Sequence, residues 1–364
     1  MAINRTPFAV LEAPLTDRDG AEVLVVVVKG TFTWGPDGEA TPAAEQLPIL
    51  TADVPAGDGP HAGLAAASDV CLSKPRVDVL LQGEIVLPRP MEQVDCALEV
   101  GARLRKTLRV FGPRVWVLGA VKALVPWKSQ PFSRMPIAWE RSFGGADLMD
   151  SEFYEARNPA GSGVCKKPRD LDGRPAPNFE NPEHPLAGLL GHPVPVGFGP
   201  IAPHWQPRIG FAGTYDEAWL EQRCPLLPAD FDPRFLNVAP ADQQLEGFVA
   251  GEEVRLANMT ARGHERFRLP LFAPAVTILD DGYIIERKAT VDTITLYPEK
   301  PAVSLTARLV WRPRTNILGI GGVFVGSLSR GQRRALETGK VYRELRLAKA
   351  SDAEPSDDLA DEGE

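Results

Sequence analysis

Proline constrains the folding of this chain more than any other residue. The 364 residues include 35 prolines, and 18 of these lie within residues 126–240. Proline has no backbone N–H and its ring clashes with the preceding turn, so long helices cannot run through such a stretch. We therefore expect residues 126–245, which are also rich in glycine and tryptophan, to form an irregular region without long helices or strands.

The segments on either side of the irregular region carry the patterns of β-strands. Residues 22–34 are rich in β-branched side chains and end at a Gly-Pro-Asp-Gly turn. Apolar residues alternate over 97–110, which predicts one strand with a single buried face, and the Gly-Pro turn that follows predicts a hairpin with 115–121. Turn signals within 275–287 and 293–311 predict two more hairpins.

These patterns predict a mainly β fold, either a sandwich or a distorted barrel built of hairpins, with a long Pro/Gly-rich irregular insertion and a short C-terminal helix. The parts expected along the chain are an N-terminal β region (1–125), the irregular region packed on the β body (126–245), C-terminal β hairpins (246–326), a polar helix (327–350) and a disordered acidic tail (351–364).

Charge and composition exclude several classes of protein. Seven carboxylates of the acidic tail account for most of the formal net charge of −8, so the rest of the chain is near neutral and offers no basic surface for nucleic acid. The longest aliphatic run, residues 23–28, is far shorter than the about 20 residues of a membrane helix. No signal-peptide pattern is present, and the four cysteines are scattered, which favours a cytoplasmic protein without membrane insertion.

No motif of a known catalytic, cofactor or metal site occurs in the sequence. A phosphate loop, a dinucleotide-binding fingerprint, an HExxH pair and a GxSxG elbow are all missing. His184, His192 and His204 lie in the irregular region but lack the close pairing of metal ligands. We therefore predict no cofactor, no metal ion and no catalytic residue.

A hydrolase is one alternative, because two carboxylates held in one cleft can catalyse hydrolysis. The carboxylates and histidines of residues 180–245 would supply such a site. Carboxylates in proline-rich loops more often cap turns or pair with arginine. The alternative predicts a cluster of carboxylates or histidines with shifted pKa values in one cleft.

Side chains of the irregular region are candidates either for binding a partner or for supporting the loops. Loops cannot be held by backbone ladders, so side chains must satisfy their buried backbone groups. The segment WERSFGG at 139–145 combines large rings with a Glu/Arg pair and two glycines, as a binding edge or a packed turn would. The candidates are Trp139, Glu140, Arg141, Phe143, Trp205, Arg208, Asp216, Trp219, Asp230, Arg234, Asp242 and Gln243.

An ordered series of segments resembles a known bacterial family. The family consists of domain-of-unknown-function proteins encoded beside the VgrG spike and PAAR-effector genes of type VI secretion systems. The series spans about residues 4–312. Its segments are NRTPF at 4–8, VVVVKGTF at 25–32, Ser68-Asp69, Lys74-Pro75, Asp78-Val79, WERSFGG at 139–145, Asn158-Pro159 with Gly161 and Gly163, PNFE at 177–180, GPIAPHWQPR at 199–208, AGTYDEAW at 212–219 and LPADFDPRFLNVAPADQQ at 227–244.

The resemblance implies a cytoplasmic adaptor or chaperone that is not an enzyme. Such a protein would bind a type VI effector or a PAAR-domain protein and help to load it on the VgrG spike. A structural component of the secretion apparatus is a second alternative, and it predicts that the chain assembles with itself or is secreted. Residues after about 315 lie outside the resemblance.

Overall fold

Most regular structure in the described residues, 2–119, 124–186 and 193–340 of a computed structural model, is β-strand. The predicted mainly β fold is confirmed. None of the sheets in these ranges closes into a barrel. The strands up to the irregular region are β1 (Ile3–Asn4), β2 (Ala9–Thr16), β3 (Glu22–Trp34), β4 (Ala40–Pro42), β5 (Val54–Pro55), β6 (Leu64–Ala66), β7 (Val77–Leu81), β8 (Glu84–Met91), β9 (Gln93–Val100), β10 (Leu104–Phe111), β11 (Trp116–Leu118) and β12 (Leu124–Pro126).

Regular elements in the irregular region are short, as the prolines predict. The strands are β13 (Phe132–Pro136), β14 (Phe143–Gly144), β15 (Ser162–Gly163), β16 (Phe179–Glu180) and β17 (Gln244–Leu245), and the helix is α1 (Glu217–Gln222). The elements that follow are β18 (Glu253–Ala257), β19 (His264–Arg268), β20 (Ala275–Asp280), β21 (Tyr283–Lys288), β22 (Thr290–Tyr297), β23 (Ala302–Trp311), β24 (Ile320–Val325) and the helix α2 (Arg330–Glu337).

Three sheets form the β body. The largest has the strand order β17-β7-β22-β23-β3-β2, with β4 also paired to β3. A five-stranded sheet has the order β16-β10-β9-β18-β19, and a four-stranded sheet has the order β1-β24-β20-β21. Buried side chains from all three sheets meet in one hydrophobic core. The sequence parts 1–125 and 246–326 therefore share their sheets and their core.

The aliphatic run in β3 is continuous because that strand is covered on both faces. Leu24, Val26 and Val28 point into the main core, whereas Val23, Val25 and Val27 form a second cluster on the other face. This strand has the predicted bounds, and the two hairpins predicted after residue 275 are confirmed as β20–β21 and β22–β23.

The prediction of a single strand over 97–110 is wrong. The segment contains the end of β9, a turn and the antiparallel strand β10. The alternation continues across the turn because the turn has three residues. Leu104, the first buried residue after the turn, therefore stays at an even spacing from Leu98 and Val100. Gly101 starts the turn with φ of 52°, a backbone conformation that costs glycine little. The return strand β11 pairs with β12 rather than with β10.

The chain divides into two units, Met1–Gly326 and Ser327–Glu364. In the second unit, the side chain of Ser329 accepts a hydrogen bond from the Gln332 backbone, and the Gln332 side chain accepts one from the Ser329 backbone, so that a capping box begins α2. The predicted polar helix is observed over Arg330–Glu337, while its end at 341–350 and the acidic tail lie outside the described residues. None of the described helices is long and apolar enough to cross a membrane.

Candidate functional site

Two candidate aromatic residues, Trp139 and Trp205, pack inside the irregular region rather than on its surface. They form a small core with Ile201 and Ala202, and the two indole rings meet edge to face with centroids 6.1 Å apart. The Trp139 Nε1 donates to the carbonyl of Pro200 at 3.0 Å. Both tryptophans therefore support the loops.

The remainder of the 139–145 segment forms a packed turn with one exposed side chain. Phe143 packs half-buried against a cluster that includes Trp116, Glu140 is half-buried, and Arg141 is exposed. Gly144 has φ of 148°, and a Cβ there would lie 2.1 Å from the carbonyl oxygen of Asn158. This close approach explains why a glycine occupies the position.

A buried carboxylate, Asp78 of β7, fixes the end of the irregular region to the largest sheet. It accepts hydrogen bonds from Lys74 Nζ at 2.8 Å, from Asn237 Nδ2 at 2.9 Å and from the Val238 and Ala239 backbone at 3.0 and 3.2 Å. Asp78 is fully buried, so these donors replace the water that its charge has lost. The loop is therefore held in one position by its own backbone N–H groups.

Gln243 and Asp242 supply a second attachment of the same loop. The Gln243 Nε2 donates to the carbonyls of Val79 and Phe198 at 2.7 and 3.0 Å. Its Oε1 accepts from Lys106 Nζ at 2.7 Å, and the same Nζ pairs with Asp242 at 2.9 Å. Gln243 is fully buried, so it belongs to the support of the loops.

A second buried ionic cluster lies on the face of the largest sheet that carries Lys29. Lys29 Nζ lies 2.8 Å from Asp69 Oδ2, and the other oxygen of that carboxylate accepts from Thr306 Oγ1 at 3.0 Å. Arg308 donates to the Asp69 carbonyl at 2.9 Å and also pairs with Asp292. The candidate list omitted this cluster. The available signal was a charge inside an aliphatic strand, which must be paired when it is buried.

Candidates near α1 act as local caps. Asp216 accepts a hydrogen bond from the Trp219 backbone at 2.8 Å and begins the helix, and Asp230 accepts two from Thr214 at 2.9 and 2.7 Å. Trp219 is half-buried, donates Nε1 to the Leu226 carbonyl at 2.8 Å and meets the ring of Tyr215 edge to face. These contacts hold the loop around α1 in place.

Exposed apolar side chains are concentrated in the irregular region. Of seventeen exposed large hydrophobic residues in the described chain, nine lie there. They are Trp127, Leu148, Met149, Phe153, Tyr154, Val194, Ile209, Tyr215 and Leu220. The aromatic members of this set, such as Trp127 and Tyr215, are of the residue types that act as anchors at protein interfaces.

A cavity of about 460 Å³ in the same region is lined by three arginines, Arg76, Arg208 and Arg234, together with Phe211 and Asn237. None of its lining residues is acidic. The Arg234 guanidinium lies 4.3 Å from the Phe211 ring centroid and pairs with Asp232 outside the lining. This arginine cavity contains two of the candidate residues.

Two carboxylates of residues 180–245 have pKa values that neighbouring donors shift. The backbone and side chain of Thr214 hold the pKa of Asp230 below its usual value, and Arg234 does the same for Asp232. Burial lowers the pKa of His204. Within the described ranges, no group of three or more His, Cys, Asp or Glu residues is arranged to hold a metal ion.

Comparison with known proteins identifies a bacterial family. The model of the family described as an uncharacterized protein conserved in bacteria (DUF2169) matches residues 19–308, and this range contains every candidate residue. Comparisons with curated proteins and with solved structures found no match.

Proposed function

The chain belongs to the bacterial family DUF2169, and we propose that the protein is a non-enzymatic cytoplasmic adaptor or chaperone. It binds a type VI secretion effector or a PAAR-domain protein and helps to load this client on the VgrG spike. The mechanism is stoichiometric binding, in which the adaptor covers a client segment until the spike receives it.

One observation carries the proposal, namely that nine of the seventeen exposed large hydrophobic side chains lie on loops of the irregular region that side-chain hydrogen bonds hold in place, such as those of Asp147 beside Met149 and of Asp216 beside Tyr215. Loops that are already ordered lose less conformational entropy when a partner binds. Their aromatic side chains can then act as anchors in the pockets of a partner. The assignment of the client rests on the sequence resemblance to proteins encoded beside VgrG and PAAR-effector genes.

The test is capture of the client by tagged protein from cells that express the secretion cluster, read by mass spectrometry. We expect an effector or PAAR-domain protein in near-equal amount. Leu220→Asp and Met149→Asp should each reduce capture about tenfold or more, because each places a charge in an exposed apolar contact. Leu271→Asp is the matched control, since Leu271 is at least as exposed as Leu220 and close to Met149 in exposure but lies outside the irregular region.

Two results would contradict the proposal. One is the absence of any co-purified effector, PAAR-domain protein or spike when the whole cluster is expressed. The other is accumulation of this chain in the culture medium together with the spike, which a structural component would show and an adaptor would not.

A further inference from the structure

Arg208 is a buried cation without an acidic partner. Its side chain is about nine-tenths buried, and it donates to the carbonyls of Phe235 and Ile201 at 2.9 and 2.8 Å. Across the described ranges, no carboxylate pairs with it and its remaining N–H groups have no hydrogen-bond partner. The guanidinium also lies 4.9 Å from the Phe235 ring centroid, and it keeps N–H donors that a ligand in the cavity can use.

The other two arginines of the cavity have exposed side chains, and each is ion-paired with one carboxylate. Arg76 and Glu246 are both exposed and lie 3.7 Å apart, a pair that solvent screens. Arg234 donates from Nε and Nη2 to the Asp232 carboxylate at 2.8 and 2.5 Å, and its guanidinium also stacks on the Phe211 ring. Three guanidinium groups therefore line one cavity with no acidic side chain among the lining residues, in a chain whose net charge is negative.

Asn237 adds an acceptor to this set of donors. Its Nδ2 donates to the Arg76 carbonyl and to Asp78, but its buried Oδ1 has no hydrogen-bond partner. An unpaired buried acceptor costs free energy that a ligand N–H would recover. The cavity thus presents arginines, which bind anions, and an amide oxygen, which accepts a hydrogen bond from an N–H group. A peptide with a carboxylate has an anion and an N–H group close together.

We propose that the arginine cavity binds a carboxylate of a peptide segment, with Arg76, Arg208 and Arg234 on the carboxylate and Asn237 Oδ1 on a peptide N–H. The planar guanidinium groups match a carboxylate through paired hydrogen bonds. The carboxylate comes from an Asp or Glu side chain or from a C-terminus. Its assignment to the client of the adaptor rests on the proposed function.

The first experiment titrates the full chain with three blocked peptides, read by ligand-observed NMR. Acetyl-Ala-Asp-Ala-amide carries a side-chain carboxylate, acetyl-Ala-Ala-Ala carries a C-terminal one, and acetyl-Ala-Ala-Ala-amide carries none. We expect at least one carboxylate peptide to bind and the neutral peptide not to bind, and the two charged peptides identify the source. Binding of the neutral peptide with equal affinity, or no binding of either charged peptide, overturns the proposal.

The double variant Arg76→Gln/Arg234→Gln locates the binding. Both side chains are exposed, so the variant should fold, and we expect affinity for the carboxylate peptide to fall about tenfold or more. Arg105→Gln is the control, because Arg105 is an exposed, ion-paired arginine of the five-stranded sheet. Wild-type affinity in the double variant overturns the site. Sodium phosphate that binds more tightly than either charged peptide overturns the choice of a peptide carboxylate as the ligand.

The same double variant separates this inference from the proposed function. If it loses the peptide and also loses the client in the capture experiment, the client supplies the carboxylate. If it loses the peptide but keeps the client, the assignment of the peptide to the client is overturned while the adaptor function stands. If wild-type protein binds the peptide but captures no client, the cavity stands and the adaptor function fails.

Discussion

The contribution of single residues is clearest at Asp78. Its fully buried carboxylate accepts hydrogen bonds from a lysine, a side-chain amide and two backbone N–H groups. Removing one member of a buried ion pair leaves the other charge uncompensated. We expect Asp78→Ala to lower the free energy of unfolding by roughly 3–5 kcal/mol. Urea denaturation followed by circular dichroism measures this change.

Asp216→Ala is the matched control for this variant. Asp216 also accepts a backbone hydrogen bond, but on the surface at the start of α1. Loss of such a cap costs about 1 kcal/mol. If Asp78→Ala lost no more stability than Asp216→Ala, the ionic cluster would not be what fixes the loop to the sheet.

The sequence could not reveal which residues pair in such clusters, because their members lie far apart along the chain. Asp69 and Thr306 are separated by 237 residues, and Val238 lies 160 residues from Asp78. Local sequence patterns show which residue types occur in a segment, but they do not show which residues contact each other in the folded structure. For the same reason, the sequence showed that the loops must be supported by side chains but left the roles of Trp205 and Arg234 open.

At the scale of elements, the segment that joins β14 to β15 depends on two carboxylates. Asp147 accepts from the backbone of Lys166 and of Met149, and these hydrogen bonds hold its pKa below the usual value. The Lys166 side chain lowers the pKa of Asp150 in the same way. A lowered folded-state pKa gives stability that is present above the unfolded pKa of about 4 and is lost as the pH falls below it.

We therefore expect acid to loosen this segment before it loosens the sheets. Hydrogen exchange at the Lys166 and Met149 amides, corrected for the intrinsic effect of pH, should accelerate as the pH falls below about 4. The Val26 amide in β3 should keep its protection over the same range. Asp147→Asn should remove the pH dependence at Lys166, and an unchanged dependence in that variant would contradict the assignment.

The sequence predicts strands that a local pattern defines. It does not predict which strands pair when they lie far apart along the chain. The β-branched run of β3 and the turns of β20–β21 and β22–β23 are local signals. Sheet order is not, because β3 pairs with β23 and β7 pairs with β22 across the whole irregular region. The alternation at 97–110 gave a wrong prediction because apolar residues keep falling at even spacings across the three-residue turn.

At the scale of the whole molecule, the largest sheet joins both ends of the first unit. Its central strands β22 and β23 come from after the irregular region and lie between β7 and β3, which come from before it. A fragment of residues 1–245 would lack β22 and β23 and would expose a row of unpaired backbone groups and an open core. We expect it not to fold, whereas the control fragment 1–326 keeps every described strand.

Near-ultraviolet circular dichroism and limited proteolysis distinguish the two outcomes for these fragments. The 1–326 fragment should give a cooperative thermal transition and resist protease, while the 1–245 fragment should give neither. A folded 1–245 fragment would mean that the irregular region and the first twelve strands form an independent domain. It would then follow that the loops are not held by the shared sheet, and the rigid support on which the binding proposals depend would have to come from the irregular region itself.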